Sequence, residues 1–210
     1  MRSMLRVFGL LALTAAVVPA RAQIDPQRSR DWNLMALDCY QKSIEMSPAN
    51  AYYYNNEGRV DNALAAFDGQ YLPQAEQAYQ EAVHWDPSSP FFIINWSNSL
   101  EKLGKEKEAR AELGQAFKFD PAFTAKILAQ MAFEKYRAGD KQKAFQFLDE
   151  AIQGNTSSAE AYYCRGMLYL SEKNKKQALA DFETVKGLQP TPEKNPSIQS
   201  LDQFIEQARN

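Results

Sequence analysis

The stretch "HWDPSSPFF" at 84–92 decides how this chain is read. It has an echo in "KFDPAFTAK" at 118–126. In each, an aromatic and an Asp-Pro close one apolar-periodic segment, and another begins within a few residues. Pro87 and Pro121 hold the same place in the two phrases. "EMSPANAYY" at 45–53 and "GLQPTPEKN" at 187–195 are looser copies. Proline lacks an N–H and restricts the residue before it, so it stops a helix. The recurring phrase therefore marks the end of a recurring unit.

Aligning the chain with itself exposes that unit. Blocks starting at Ala51, Pro90, Ala125 and Ala159 carry Gly58, Ser97, Ala132 and Gly166 as their eighth residues, all small. Twelve residues before the closing slot (Pro87, Pro121, Thr156, Pro190) stand Ala75, Ala109, Ala144 and Ala178. Four further on stand the large Tyr79, Leu113, Leu148 and Phe182, and three beyond those Ala82, Ala116, Ala151 and Val185. Small facing large at helical spacing predicts two antiparallel helices per block.

The pattern resembles the tetratricopeptide repeat, whose period of about 34 residues is also the spacing from Pro87 to Pro121. The best match is "AEAYYCRGMLYLSEKNKKQALADFETVKGLQPTP" at 159–192, with Tyr162, Gly166, Tyr169, Ala178, Phe182 and Pro190 in the family's slots. The resemblance implies an all-α solenoid of helix pairs, wound as a right-handed superhelix. The expected array runs over 31–190: a partial repeat at 31–50, then repeats at 51–89, 90–124, 125–158 and 159–190. The first full block is longer than its fellows, and its first helix, "AYYYNNEGRVDNALAAFDGQ", is expected to run on by about a turn. "WNLMALDCYQKSIEMSP", with Ala36, Tyr40 and Pro48 in register, matches only a second helix and can cap the array. Residues 191–210 read as a polar linker and a capping helix with Ile198, Leu201 and Ile205 on one face, which repeat arrays need for solubility.

Composition agrees with a folded helical chain. Of the 210 residues 45% are hydrophobic, against a formal net charge of −2, which excludes disorder by composition. No basic patch of the kind nucleic acid requires is present. The segment 1–22 reads as a signal peptide. "MRSMLR" supplies two arginines, "VFGLLALTAAVV" is an apolar run of twelve, and Ala20 and Ala22 form an A-x-A cleavage site. The run falls short of the roughly 20 residues that span a bilayer; the alternative is an uncleaved anchor. Residues 23–30 are expected to be a polar lead-in. Cleavage leaves 21 basic against 26 acidic residues, and a periplasmic or secreted location. Six expected helices separate Cys39 from Cys164. Neighbouring helices sit roughly 8–10 Å apart and a disulfide needs Cα atoms within about 7 Å, so two unpaired thiols packed as small apolar groups are expected.

Function must be sought on surfaces, since the fold serves many roles. By resemblance, the first helix of each repeat lines a concave face. Its inward positions are Asn55, Arg59, Ile94, Asn95 and Asn98 in the N-terminal half. In the C-terminal half they are Phe133, Tyr136, Arg137, Tyr163, Met167 and Leu170. Amides can hydrogen-bond a peptide backbone, and aromatics with Met can take apolar side chains. The competing reading packs the last-repeat aromatics under the capping helix. One subtype of the family grips carboxylates with Lys and Asn at set positions. Here Asn55 and Arg59 replace them, and Gln130 follows Lys126 where a basic residue belongs, so that clamp is not expected.

The chain carries no nucleotide-binding or nucleophile-elbow motif and no metal-ligand spacing. Its lone His84 beside Trp85 reads as a surface residue. "KEKEAR" at 105–110 reads as a solvated helix face, and Asn95 and Asn155 begin N-x-S/T sequons. No enzyme activity, cofactor or metal is expected. The sequence reads as an exported adaptor binding a peptide or protein partner. The alternative is a structural subunit of a cell-envelope assembly (secretion, pilus or polysaccharide machinery), associated with membrane complexes through a protein. Amino-terminal sequencing of the exported protein is expected to begin at Gln23, or to be blocked if that glutamine cyclises; recovery of Met1 would refute cleavage.

Overall fold

The structure, a computed structural model, describes residues 25–188 and 200–209. Among them are ten helices and no strand, so the fold is all-α. The chain divides into two compact units, one ending at Pro121 and the other resuming at Ala122. The first holds α1 (Pro26–Met46), α2 (Ala51–Leu64), α3 (Tyr71–Trp85), α4 (Pro90–Lys102) and α5 (Glu106–Phe119). The second holds α6 (Pro121–Arg137), α7 (Lys141–Gly154), α8 (Ala159–Ser171), α9 (Lys175–Leu188) and α10 (Leu201–Arg209). The expected signal peptide, the Pro190 slot, the polar linker and Ile198 lie outside the described residues.

Prolines start helices here as well as ending them. Pro26 opens α1 and Asp25 accepts from the Gln27 N–H at 3.1 Å, so most of the expected lead-in at 23–30 is helical. An Asp cap followed by Pro at the first position is a start signal, since both meet the unpaired donors of a first turn. Pro121 likewise opens α6 just after α5 ends, a helical turn ahead of the Ala125 boundary read from the alignment. The long first block does not extend its first helix. α2 stops at Leu64 and the extra residues form the turn at 65–70. There Asp68 accepts from the Gln70 N–H at 3.1 Å, an Asx turn that competes with continued helix.

The other three intra-repeat turns share one device. Gly104, Gly139 and Lys173 adopt left-handed φ values of 75°, 91° and 61°. The next residue's N–H then bonds back to the helix: Lys105 to Leu100 at 2.9 Å, Asp140 to Lys135 at 3.0 Å, Asn174 to Tyr169 at 2.8 Å. This Schellman bond satisfies a terminal carbonyl and reverses the chain.

The aligned slots form the core. Ala75, Ala109, Ala144 and Ala178 are at most 1% exposed. Tyr79, Leu113, Leu148 and Phe182 are buried beside them, as are Ala82, Ala116, Ala151 and Val185. The small eighth residue meets this row. A Cβ on Gly58 would lie 3.1 Å from the Ala75 carbonyl oxygen, and Ser97 Oγ donates to the Ala109 carbonyl at 2.7 Å. In the second unit α10 closes the core: Leu201, Phe204, Ile205 and Ala208 pack with Tyr163, Met167, Leu170 and Phe182. Arg165 ties three helices there. It donates two bonds to Asp181 on α9, at 2.8 and 2.9 Å, and one to Asp149 on α7 at 2.7 Å. Neither cysteine is in a disulfide. Cys164 is packed and burial pushes its thiol up to about 12, with the Glu160 carboxylate adding to the shift. Cys39 is exposed, against expectation, because α1 buries no residue fully.

The seam makes a paired prediction. A Cβ on Gly166 would sit 2.7 Å from Phe182 Cε1, whereas one on Gly114 in α5 meets nothing within 4 Å. Gly166→Ala is expected to cost about 1–3 kcal/mol by overpacking. Gly114→Ala is expected to add roughly 0.5–1 kcal/mol of helix propensity. Urea unfolding of the two variants checks both signs.

Candidate functional site

The first-helix positions divide by exposure. In the first unit, Asn55 is 1% exposed and accepts from Asn95 Nδ2 at 2.7 Å. Two turns further along both helices, Lys102 Nζ donates to Asn62 Oδ1 at 3.1 Å. Asn62 Nδ2 in turn donates to Tyr79 at 3.1 Å. These rungs hold α2 beside α4. Ile94 is 1% exposed and belongs to the core. Asn95 and Asn98 are half-buried, and Arg59 is exposed and donates to Asn56 Oδ1 at 3.5 Å.

In the second unit, Phe133, Tyr136 and Arg137 gather on the last turn of α6, the first two half-buried and Arg137 exposed. The Arg137 guanidinium stands 5.9 Å from the Phe133 ring centroid. Tyr136 donates to Glu172 at 2.6 Å and Lys141 pairs with the same carboxylate at 2.8 Å. Burial, and then the Glu172 bond, raise the Tyr136 phenol. Tyr163 and Met167 do not face an open surface. At 4% and 2% exposure they lie under α10, with Phe204 6.2 Å from the Tyr163 ring. The cap needs an apolar floor, and the fifth and ninth positions of the last first-helix supply it. Burial holds the Tyr163 phenol far above its usual value.

A polar cavity in the first unit was not anticipated. It has a volume of about 430 Å³ and lies among α1, α2 and α3, walled by Tyr54, Tyr71, Gln41, Gln74 and Gln77 among others. Three carboxylates line it: Glu57, Asp61 and Glu81. Asp61 is 3% exposed and has no hydrogen-bond or ion-pair partner among the described residues. Burial, and then the charge of Glu57, push its carboxyl up to about 7. Burial also raises Glu57, while a hydrogen bond from Gln41 lowers it. The sequence signal was present. Glu57 and Asp61 hold the seventh and eleventh slots of their block, where the next block has Trp96 and the buried Leu100. An acid at a packing position is what needed a reason.

Elsewhere the surface offers little chemistry. His84 is exposed and edge-on to Trp85 at 5.2 Å. Among the described residues no group of three His, Cys, Asp or Glu could hold a metal ion, and no helix is long and apolar enough to cross a membrane.

Helix pairs with a small-on-Ala seam, a Schellman turn and a closing helix define a helical-repeat protein. Residues 159–192 match the tetratricopeptide repeat family model. The α8–α9 pair is thus a tetratricopeptide repeat, and the fold is of that solenoid class. The chain is 24% identical over 144 residues to interferon-induced protein with tetratricopeptide repeats 2 of Cricetulus griseus, across 69% of this chain and 30% of that one. It is 27% identical over 150 residues to response regulator aspartate phosphatase H of Bacillus subtilis (strain 168), across 65% and 38%. The chain thus spans well under half the length of these relatives. The crystal structure of MamA is similar over 81% of this chain and 96% of its own, at 16% identity and a TM-score of 0.45.

Asp61 gives the pH dependence a sign. Its folded value, about 7, lies above the ordinary value of 3.8. The folded chain therefore keeps a proton that the unfolded chain releases, and the contribution of Asp61 to stability is full below pH 4 and is lost as pH rises through 7. Asp61→Asn is expected to remove about 2–4 kcal/mol of this loss and to melt higher than wild type at pH 8. Thermal melts of both proteins at pH 5 and pH 8 measure the difference.

Proposed function

We propose that the chain is an exported, non-enzymatic adaptor that holds a peptide or protein partner on the exposed faces of its repeat first-helices. The observation that carries this reading is the half-exposed cluster of Phe133, Tyr136 and Arg137. Residues three and four apart share one helical face. The two rings offer large apolar area at low entropic cost, and aromatics and Arg dominate binding energy at interfaces. The Glu172 and Lys141 bonds fix Tyr136, so little rotamer freedom remains to be lost on binding. Export rests on the arginines, apolar run and A-x-A site of the segment 1–22. The phosphatase in the name of the Bacillus relative is said of that longer protein.

A structural subunit of an envelope assembly is the second reading. Trp32, Met35 and Met46 favour it, being 60%, 63% and 87% exposed along α1. Apolar surface of that kind is usually covered in a permanent assembly.

The test begins with a pull-down of the mature protein from its native envelope, followed by calorimetric titration of the captured partner. Phe133→Ala and Tyr136→Ala are each expected to weaken binding by about 1–2 kcal/mol, a fivefold to thirtyfold loss. Melting temperatures are expected to fall by less than ~4 °C. Normal binding by both variants would move the partner site to another face, and stable capture of membrane-complex subunits through α1 would favour the second reading.

A further inference from the structure

The cavity among α1, α2 and α3 has the wrong contents for a packing defect. Leu37 and Ala78 supply only a small part of its lining; the rest is three carboxylates, three glutamine amides and two tyrosine rings. Asp61 is the most buried of the three acids and has no hydrogen-bond or ion-pair partner among the described residues. A buried carboxylate is expensive unless paired, and what it lacks here is a cation. Among the described residues no basic side chain lines the space. Metal chemistry fits poorly, since the acids do not converge as a ligand set among the described residues. An organic cation fits each wall. The carboxylates accept its N–H donors, the glutamines take remaining donors, and the faces of Tyr54 and Tyr71 attract its charge. The volume exceeds what a side-chain head group needs and leaves room for the aliphatic stem.

We propose that this cavity is a recognition subsite for an Arg or Lys side chain of the partner, lodged against Asp61 with Glu57 and Glu81 completing its ion pairs. The proposal rests on the adaptor reading only in taking the cation from a partner chain; the cavity's own affinity is a separate quantity. The subsite belongs to the first unit, whereas the aromatic cluster of α6 belongs to the second. It lies on the α2 face of Tyr54, Glu57 and Asp61, at spacings of three and four, away from Asn55, Arg59 and Asn62. The titratable groups around Asp61 are Glu57 and Tyr54 from its own helix, and Glu81, Tyr71 and the phenol of Tyr79 from α3; α1 presents Leu37 and Gln41, neither titratable. A cation entering this site must displace the proton that burial holds on Asp61 near neutrality.

The experiment is a two-dimensional amide NMR titration of the full mature chain with capped pentapeptides, acetyl-Gly-Gly-X-Gly-Gly-amide, where X is Arg, Lys or citrulline. Citrulline has nearly the shape of Arg without its charge. The Arg and Lys peptides are expected to shift α2 signals and the side-chain amides of Gln41, Gln74 and Gln77, and the citrulline peptide to leave them in place. Affinity is expected to rise about tenfold from pH 6 to pH 8, as Asp61 goes from mostly protonated to mostly ionised. Asp61→Asn is expected to weaken binding at least ~10-fold while remaining folded, and Glu81→Gln to weaken it less. Equal binding of the citrulline peptide, or full binding by Asp61→Asn, overturns the proposal. Agmatine is the free-cation arm: if it binds and the peptides do not, the occupant is a small amine and the partner side chain is refuted. If neither binds, the cavity is not a cation site, and the α6 cluster remains to be judged by its own titration.

Discussion

The close approach of paired helices at one small residue governs the rest of this structure. Gly58, Ser97 and Gly166 sit where the facing helix comes nearest, and they reach that approach by two different means. Gly58 and Gly166 leave no room for a Cβ against Tyr79 and Phe182. Ser97 has a side chain but turns it into a bond, its Oγ donating to the Ala109 carbonyl at 2.7 Å. Once the backbones are this close, the Ala row must stay small and the next large residue must fill the remaining space. Phe182 does so with no exposure, and its burial contributes roughly 2–3 kcal/mol.

That seam uses one face of each helix and leaves the others to polar partners. In the first unit the amide rungs Asn55–Asn95 and Asn62–Lys102 repeat after two helical turns, so they recur on the same edge. In the second, Arg165 divides its donors between Asp181 and Asp149, with the rings of Tyr162 and Tyr169 at 5.5 and 6.0 Å. A half-buried guanidinium of this kind is stable because each carboxylate answers it, and it fixes register among three helices. Glu172 plays the surface version, accepting from both Tyr136 and Lys141; as an exposed network it stabilises little and orients more.

Asp61 breaks the rule that the other buried ionic groups keep. Where Asp181 has Arg165, Asp61 has no counter-ion among the described residues, and its raised value records the mismatch as a loss of stability at neutral pH. Local inconsistencies of this sort concentrate at functional positions, because selection for folding alone would replace them. The neighbouring α1 shows the same tension: it buries no residue fully and exposes Trp32 and Met35. The first unit thus joins an unsatisfied acid to a loosely covered helix, whereas the second is closed by α10.

The sequence by itself determined the repeat, the helix pairs and the core. Pro87 and Pro121 announced the period, and the slots from Gly58 to Val185 named the buried seam, because helical spacing and residue volume are local properties. It also placed Phe133, Tyr136 and Arg137 on one helical face. It could not say which first-helix positions would face solvent. Tyr163 and Met167 have the same slot numbers as open positions in other blocks, and only the arrival of α10 from 201–209 covers them. Asn55 read as a peptide-binding amide, but Asn95, on a helix of the next block, claims its oxygen. The cavity at Asp61 needs three helices to exist at all. Glu57 and Asp61 stood in the sequence as acids at packing positions, and only the tertiary structure shows that they wall a polar cavity with Glu81. A side chain's exposure and partners depend on elements distant along the chain, so periodicity can find a face and cannot tell what lies against it.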